Sequence, residues 1–286
     1  MSVHDSRLHA FRADLADERL RGSVEAERFV PGRPARIAAS IADLRRAPRP
    51  DAEMDSQLLF GEGIRVFEES EGWAWVQAER DGYVGYVAGT AVAPIATDAT
   101  HVVSAPRTFI YPGPDMKLPR SGELSMGSRI TVTGHAETRG TKYAVLASGE
   151  AIVARHLAAK DVFAGDYVAV AETLLNTPYL WGGSSGFGID CSGLVQLALR
   201  MAGRAVLRDA DQQGETAGVA IDAGPAYENL QRGDLVFWKG HVAIMTDAAN
   251  MVHANGHTML VSREPLDAAV ERIGYLYGKP TGFRRP

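Results

Sequence analysis

Tyr179-Leu180-Trp181-Gly182-Gly183-Ser184-Ser185-Gly186-Phe187-Gly188-Ile189-Asp190-Cys191-Ser192-Gly193-Leu194-Val195 decides how the chain is read. A glycine-rich loop runs here into a helix. Leu194, Val195, Ala198, Leu199 and Ala202 recur at helical spacing, and Gly203 supplies the stop. Cys191, the single cysteine of 286 residues, stands at the junction. A helix N-terminus offers unpaired N–H groups and partial positive charge, both of which favour a thiolate. A lone cysteine is often plain packing. Its position here puts a reactive thiol on an equal footing with that reading.

A thiolate nucleophile needs a base beside it. His241 opens the apolar run His241–Met245 directly after Lys239-Gly240, and His253 lies twelve residues on, past a turn near Thr246–Asn250. Adjacent antiparallel strands can put both on one face, with His241 as base and His253 orienting its ring. Asn255 and His257 compete for the third place. Each histidine taken singly also fits a structural role. A zinc site built from Cys191, His241 and His253 lacks any close ligand pair such as CxxC or HExxH. Asp166–Leu175 reads as an amphipathic stretch ending before Pro178. The β-like runs Asp234–Trp238, His241–Met245 and Asn250–Ala254 follow the cysteine helix, so 162–286 is expected to be an α+β domain with an antiparallel sheet.

Further upstream the texture is β. Leu58–Phe60, Ile64–Phe67, Trp73–Gln77 and Tyr83–Val87 are short runs of β-formers separated by Gly and Asp, the pattern of a small barrel. A shift of 66 residues aligns Leu44 with Ile110, Pro48 with Pro114, Leu58 with Leu124, Gly61 with Gly127, Ile64 with Ile130 and Val66 with Val132. Two copies of one barrel are expected, at 36–97 and 100–160, the second degenerate. Residues 1–35 are highly charged and end in Pro31 and Pro34, which predicts a short helix near Arg7–Arg21 followed by an extended arm.

Asp190-Cys191-Ser192-Gly193-Leu194-Val195, Gly233-Asp234-Leu235-Val236-Phe237-Trp238, His241-Val242-Ala243-Ile244 and Val252-His253-Ala254 together resemble the NlpC-type cell-wall cysteine peptidases. Motif order, spacing and Tyr179–Gly183 agree. The resemblance implies a papain-like catalytic core over about 162–286, and the two barrels resemble bacterial SH3-like domains. It implies a γ-D-glutamyl–diamino acid endopeptidase whose partner is a murein peptide, L-Ala-γ-D-Glu-diamino acid. Cys191 would be nucleophile, His241 general base and His253 the orienting group. Cys191 N–H and Tyr179 would form the oxyanion hole. Trp181, Asp190, Ser192 and Asp209, the last in an Arg208-Asp209 pair, would contact substrate. In the first barrel Asp55, where relatives usually carry Glu, and Tyr83 resemble segments that wall the peptidase cleft. They would bind the free ammonium of L-Ala. No metal or cofactor is implied. Rival readings are an amidase or acyltransferase on the same core, and a non-catalytic murein-peptide-binding protein.

Composition narrows the field further. Hydrophobic residues make up 45% and charged residues 23%, ordinary values for a globular protein. The net charge of -5 argues against a nucleic-acid partner. The longest uncharged stretch, Thr173–Ile189, is broken by glycines and a proline, so no membrane-spanning helix is expected. The charged N-terminus lacks the apolar segment of a signal peptide, and one cysteine asks for no oxidising compartment. The expectation is a cytoplasmic enzyme of cell-wall peptide recycling. The preferred diamino acid, the oligomeric state and the role of 1–35 stay open.

Overall fold

A computed structural model describes residues 4–95 and 97–286. They divide into two compact units, Met1–Val162 and Phe163–Pro286.

In the first unit a seven-stranded antiparallel sheet curls into a barrel. Its spatial order is Met54–Leu59, Ile41–Arg45, Val84–Ala88, Trp73–Ala78, Gly63–Ser70, Arg33–Ile37, Val92–Ala93. Alternate residues face inward, as the two-residue period of a strand requires. Ile37, Leu44, Leu58, Ile64, Val66, Ala74, Val76 and Val87 fill the interior. The strand order in sequence then repeats. His101–Val103, Arg107–Ile110, Gly122–Ser125, Arg129–Ile130 with Val132–Thr138, Thr141–Leu146, Ala151–Val153 and Leu157–Ala159 occupy the corresponding places. Even the turns correspond. Glu71-Gly72 and Arg139-Gly140 are two-residue hairpin loops with positive φ at both positions, the geometry that suits strand twist. The second copy is the weaker one, with its ladders split into three small sheets around Val103, Leu124, Ile130 and Ile152.

The two barrels touch where the repeat is tightest. Arg129 N–H donates to Phe60 O at 2.8 Å, and Phe60 packs against the second core. Gly61 has φ +76°, and a Cβ there would lie 2.0 Å from Arg129 O. A side chain is therefore excluded by both backbone strain and a backbone clash.

The expected helix near Arg7–Arg21 does not form. Leu15–Asp17 and Arg28–Val30 pair as parallel strands, with a 3₁₀ turn at Glu18–Leu20 between them. The charges explain why. Asp5 with Arg7, Arg12 with Asp14 and Asp17 with Arg19 are ion pairs two residues apart, and residues so spaced do not face each other on an α-helix. Ala10 and Leu15 pack on Phe67 and Trp75, on the outer face of the first barrel, with the Arg12 guanidinium 4.4 Å over the Trp75 ring.

The second unit has the expected α+β build. Its antiparallel sheet runs Val219–Ala220, Gly282–Arg285, Leu235–Trp238, His241–Met245, Asn250–Asn255, Leu260–Pro265. Four helices accompany it: α1 (Tyr167–Thr173), α2 (Cys191–Met201), α3 (Ala210–Thr216) and α4 (Leu266–Tyr277). α2 is buried along its length except at Arg200, and ends at Gly203, whose φ of +75° lets Arg204 N–H reach back to Leu199 O. Leu266, Ala269 and Ile273 of α4 cover the sheet face that carries Val236, Ala243, Met245 and Met251. The inner strand Gly282–Arg285, the edge strand Leu260–Pro265 and α4 extend the sheet region beyond the three runs legible in sequence.

Candidate active site

Cys191 is the first residue of α2, and the residue before it organises the site. Asp190 Oδ1 accepts from Gly193 N–H at 2.7 Å and so caps the helix, while Oδ2 accepts from Gly182 N–H at 3.0 Å. Arg208, 1% exposed, grips both carboxylate oxygens at 3.0 and 2.7 Å. The same guanidinium donates to Ser192 Oγ (2.8 Å) and Gly183 O (3.2 Å). Loop, cap and helix are thereby one unit. Gly193 is required by the closeness of that packing, because a Cβ would sit 2.3 Å from Gly183 O. Removing either member of a buried pair of this kind costs about 3–5 kcal/mol, since a charge is left uncompensated.

Asp190 and Ser192, expected to contact substrate, therefore have their side-chain oxygens committed to this internal network. Asp209 likewise forms a capping box with Gln212 at the start of α3. Gln213 ties α3 to α2 by donating to Ser192 O at 3.0 Å. By contrast, Trp181 is 68% exposed. The half-buried Tyr179 lies close enough to feel the Cys191 and Asp190 charges. Burial first, then those charges, push its phenol well above its ordinary value, so it keeps its proton as a donor.

The histidines come from neighbouring strands. Ile244 pairs with Val252, so by continuation Ala243 faces His253 and His241 lies diagonally beside it on the same face. His241 Nε2 and His253 Nδ1 are 2.8 Å apart. His253 is wholly buried, and its Nε2 lies 2.7 Å from Glu264 Oε1, short in distance though off the ring N–H axis. His253 pairs with Ser262, which makes Glu264 the next diagonal neighbour on that face. Arg272 of α4 also binds Glu264. Burial raises the Glu264 carboxyl, but His253 and Arg272 beside it outweigh that and hold the group below its usual range. Asn255 is drawn elsewhere, donating to Ser262 Oγ at 2.8 Å and accepting from Thr258 N–H, and it is His253 that lies against His241. The sequence reading does not single out Glu264, and it names Arg208 only as the neighbour of Asp209. An alternating Leu260-Val261-Ser262-Arg263-Glu264 was the available signal for the first. Arg208 stood next to the residue that drew attention instead.

The thiol meets the histidine strand at its start. N–H groups of Val242 and Ser192 point at Cys191 Sγ. The sequence led us to expect a thiolate favoured by the helix N-terminus. The structure reverses this. Burial first, then the Asp190 carboxylate, push the thiol up to about 12, and the two N–H groups and Arg208 recover only part of that. Burial, with His253 and Arg272, lowers His241 to about 3 against the opposing pull of Glu264. The resting pair is a neutral thiol and a neutral imidazole.

In the first unit, Asp55 and Tyr83 gather around one cation. Arg46 binds Asp55 at 2.7 and 3.2 Å, and the Tyr83 phenol contributes to the field on the same guanidinium. Tyr83 belongs to the barrel core and is 4% exposed.

The NlpC/P60 family matches residues 176–271, and the bacterial dipeptidyl-peptidase SH3 domain matches residues 44–92. The chain joins an SH3 domain to an NlpC/P60 domain. It is a cysteine peptidase. A dipeptidyl-peptidase 6 of Lysinibacillus sphaericus is 28% identical over 84% of this chain and 98% of its own length. A gamma-D-glutamyl-L-lysine dipeptidyl-peptidase of Bacillus subtilis is 27% identical over 71% of this chain and 73% of its own. An NlpC/P60 family protein from Bacillus cereus shares the fold, with a TM-score of 0.72 and 24% identity over 88% of this chain and 99% of that one.

A neutral resting pair has a direct consequence for alkylation of the substrate-free enzyme. Only the thiolate reacts. Iodoacetamide should therefore modify Cys191 more slowly than free cysteine at pH 7, with a rate still climbing beyond pH 9. A plateau reached below pH 7 would reveal a resting thiolate–imidazolium pair.

Proposed function

We propose that this peptidase hydrolyses the γ-D-glutamyl–diamino acid bond of murein peptides that begin with free L-Ala. Cys191 serves as nucleophile, His241 as general base and His253 as the group that orients His241. The observation that carries the reading is the 2.8 Å His241–His253 contact on the strand whose next residue, Val242, points its N–H at the Cys191 thiol. Relatives named gamma-D-glutamyl-L-lysine dipeptidyl-peptidases support the bond chosen.

The chemistry is acyl transfer. His241 takes the thiol proton as sulfur attacks the γ-carbonyl of D-Glu, because a thiol held near 12 reacts only with a base that removes its proton in the same step. The oxyanion is met by Cys191 N–H, a first-turn donor without an intrahelical partner, and by the Tyr179 phenol. The C–N bond breaks, and the diamino acid leaves with the proton from His241. Water, deprotonated by His241, then cleaves the thioester and returns the proton to sulfur. Trp181 offers its exposed ring to the substrate. Asp190, Ser192 and Asp209 act by holding the loop and the two helix starts in place. Asp55, with Tyr83, receives the L-Ala ammonium by a charge-assisted hydrogen bond in place of Arg46. The enzyme's place is cytoplasmic recycling of released wall peptides, a compartment with which a single free cysteine is compatible.

Incubation with L-Ala-γ-D-Glu-diaminopimelate followed by mass spectrometry should give L-Ala-D-Glu and free diaminopimelate. Cys191→Ser and His241→Ala should each cost several orders of magnitude, and more than about a hundredth of wild-type rate in either would remove that residue from its role. N-acetylation of the L-Ala should lower kcat/KM about ten- to two-hundredfold, the worth of one hydrogen bond to a charged group. Asp55→Asn should narrow that gap. Recovery of the intact tripeptide, or of an acyl-transfer product, instead of free diaminopimelate would point to the amidase or acyltransferase chemistry. Fractionation of the native cells should recover the protein in the cytoplasm, and recovery outside the membrane would remove the recycling role.

A further inference from the structure

The second unit holds an ionised side chain that the Cys-His-His reading leaves without a task. Glu264 lies on the Leu260–Pro265 strand, its Oε1 2.7 Å from His253 Nε2 and bound on its other side by Arg272 of α4. His253 Nδ1 is in turn 2.8 Å from His241 Nε2. Three residues on three adjacent strands, each the diagonal neighbour of the last, form a line that ends at the base.

Proton placement along this line follows from what each group is able to do. An ionised carboxylate only accepts. When the His253 ring carries a single proton, that proton is therefore drawn to Nε2, which leaves Nδ1 with a lone pair. That lone pair accepts from His241 Nε2, so the proton of neutral His241 is drawn to Nε2 as well. His241 Nδ1 is left bare, free to accept the proton that the proposed reaction takes from Cys191. The opposite arrangement satisfies the His–His contact equally well. His253 would then donate from Nδ1, and His241 would carry its proton on Nδ1 with no lone pair for the thiol. Two histidines alone do not choose between these states.

We propose that Glu264 is the positioning residue that makes this choice. Its carboxylate, anchored by Arg272, sets the tautomer of His253 and through it the tautomer of His241. The inference rests on His241 being the base of the cysteine peptidase. Glu264 touches neither substrate nor thiol. The groups whose charges bear on His241 are His253, Arg272 and Glu264, and Glu264 alone among them favours a proton on it. A carboxylate behind the His pair thus also steadies the imidazolium formed during attack, while the proton stays on His241 until the leaving amine takes it.

The direct test is nitrogen-15 NMR of the histidine rings at neutral pH, on the full-length wild-type enzyme. Both His241 and His253 should be protonated at Nε2 and bare at Nδ1. Protonation of His241 at Nδ1 in the wild type overturns the proposal without any variant. Glu264→Gln and Glu264→Ala then supply the kinetic arm. Each should introduce a population of His241 protonated at Nδ1 and lower kcat about ten- to a hundredfold, with KM within about threefold, because an incorrect tautomer removes the base without removing the binding site. Unchanged tautomers with kcat within about twofold of wild type overturn the assignment. Loss of kcat with unchanged tautomers overturns it too, since that would be packing damage at the Arg272 anchor. Cys191→Ser run alongside separates the two levels. If it abolishes cleavage while the Glu264 variants keep the wild-type tautomers, the peptidase reading stands and this inference alone fails.

Discussion

Everything at the catalytic end depends on one buried ion pair. The Arg208 guanidinium holds both oxygens of Asp190, and Asp190 caps the helix that begins with Cys191. The same guanidinium holds Gly183 of the glycine-rich loop and Ser192, the residue after Cys191. A cap residue that only bonded the helix would leave the loop free to move relative to the thiol. Sharing Asp190 between helix, loop and arginine removes that freedom, at the expense of burying two charges that must stay paired.

Burial is also what sets the chemistry. A helix N-terminus alone would lower a thiol pKa, but the Cys191 site is so enclosed that desolvation prevails and the neutral form is held up to about 12. The same enclosure pushes His241 down to about 3. A dry site strengthens every directed hydrogen bond inside it. In the proposed mechanism the Glu264–His253–His241 line acts on the base through proton position, and the proton leaves the thiol as the new S–C bond forms.

The sequence disclosed the parts of this design that depend on pattern. Helix α2 was legible from its apolar spacing and Gly203, the strands at Leu235–Trp238 and His241–Met245 from their apolar runs, and the repeated barrel from turn glycines such as Gly61 and Gly127. Residues 1–35 depart from the expected helix because the two-residue spacing of Asp5/Arg7, Arg12/Asp14 and Asp17/Arg19 fits turns and extended chain. Glu264 and Arg208 were illegible for a different reason. Each acquires its role from a partner across a strand register or a loop closure, which only the folded chain brings near. Tyr83 is legible by its motif, and folding adds that Arg46 binds Asp55 within reach of the Tyr83 phenol's charge.

The central claim is that Cys191 carries the acyl group between the two halves of the reaction. Rapid mixing with L-Ala-γ-D-Glu-diaminopimelate, acid quench and peptide mass mapping test it most directly. A thioester-linked L-Ala-D-Glu on the peptide containing Cys191 is the result predicted, formed no more slowly than diaminopimelate is released and absent from His241→Ala. Diaminopimelate released at full rate by a Cys191→Ala enzyme, with no acyl group on the protein at any time point, would contradict it.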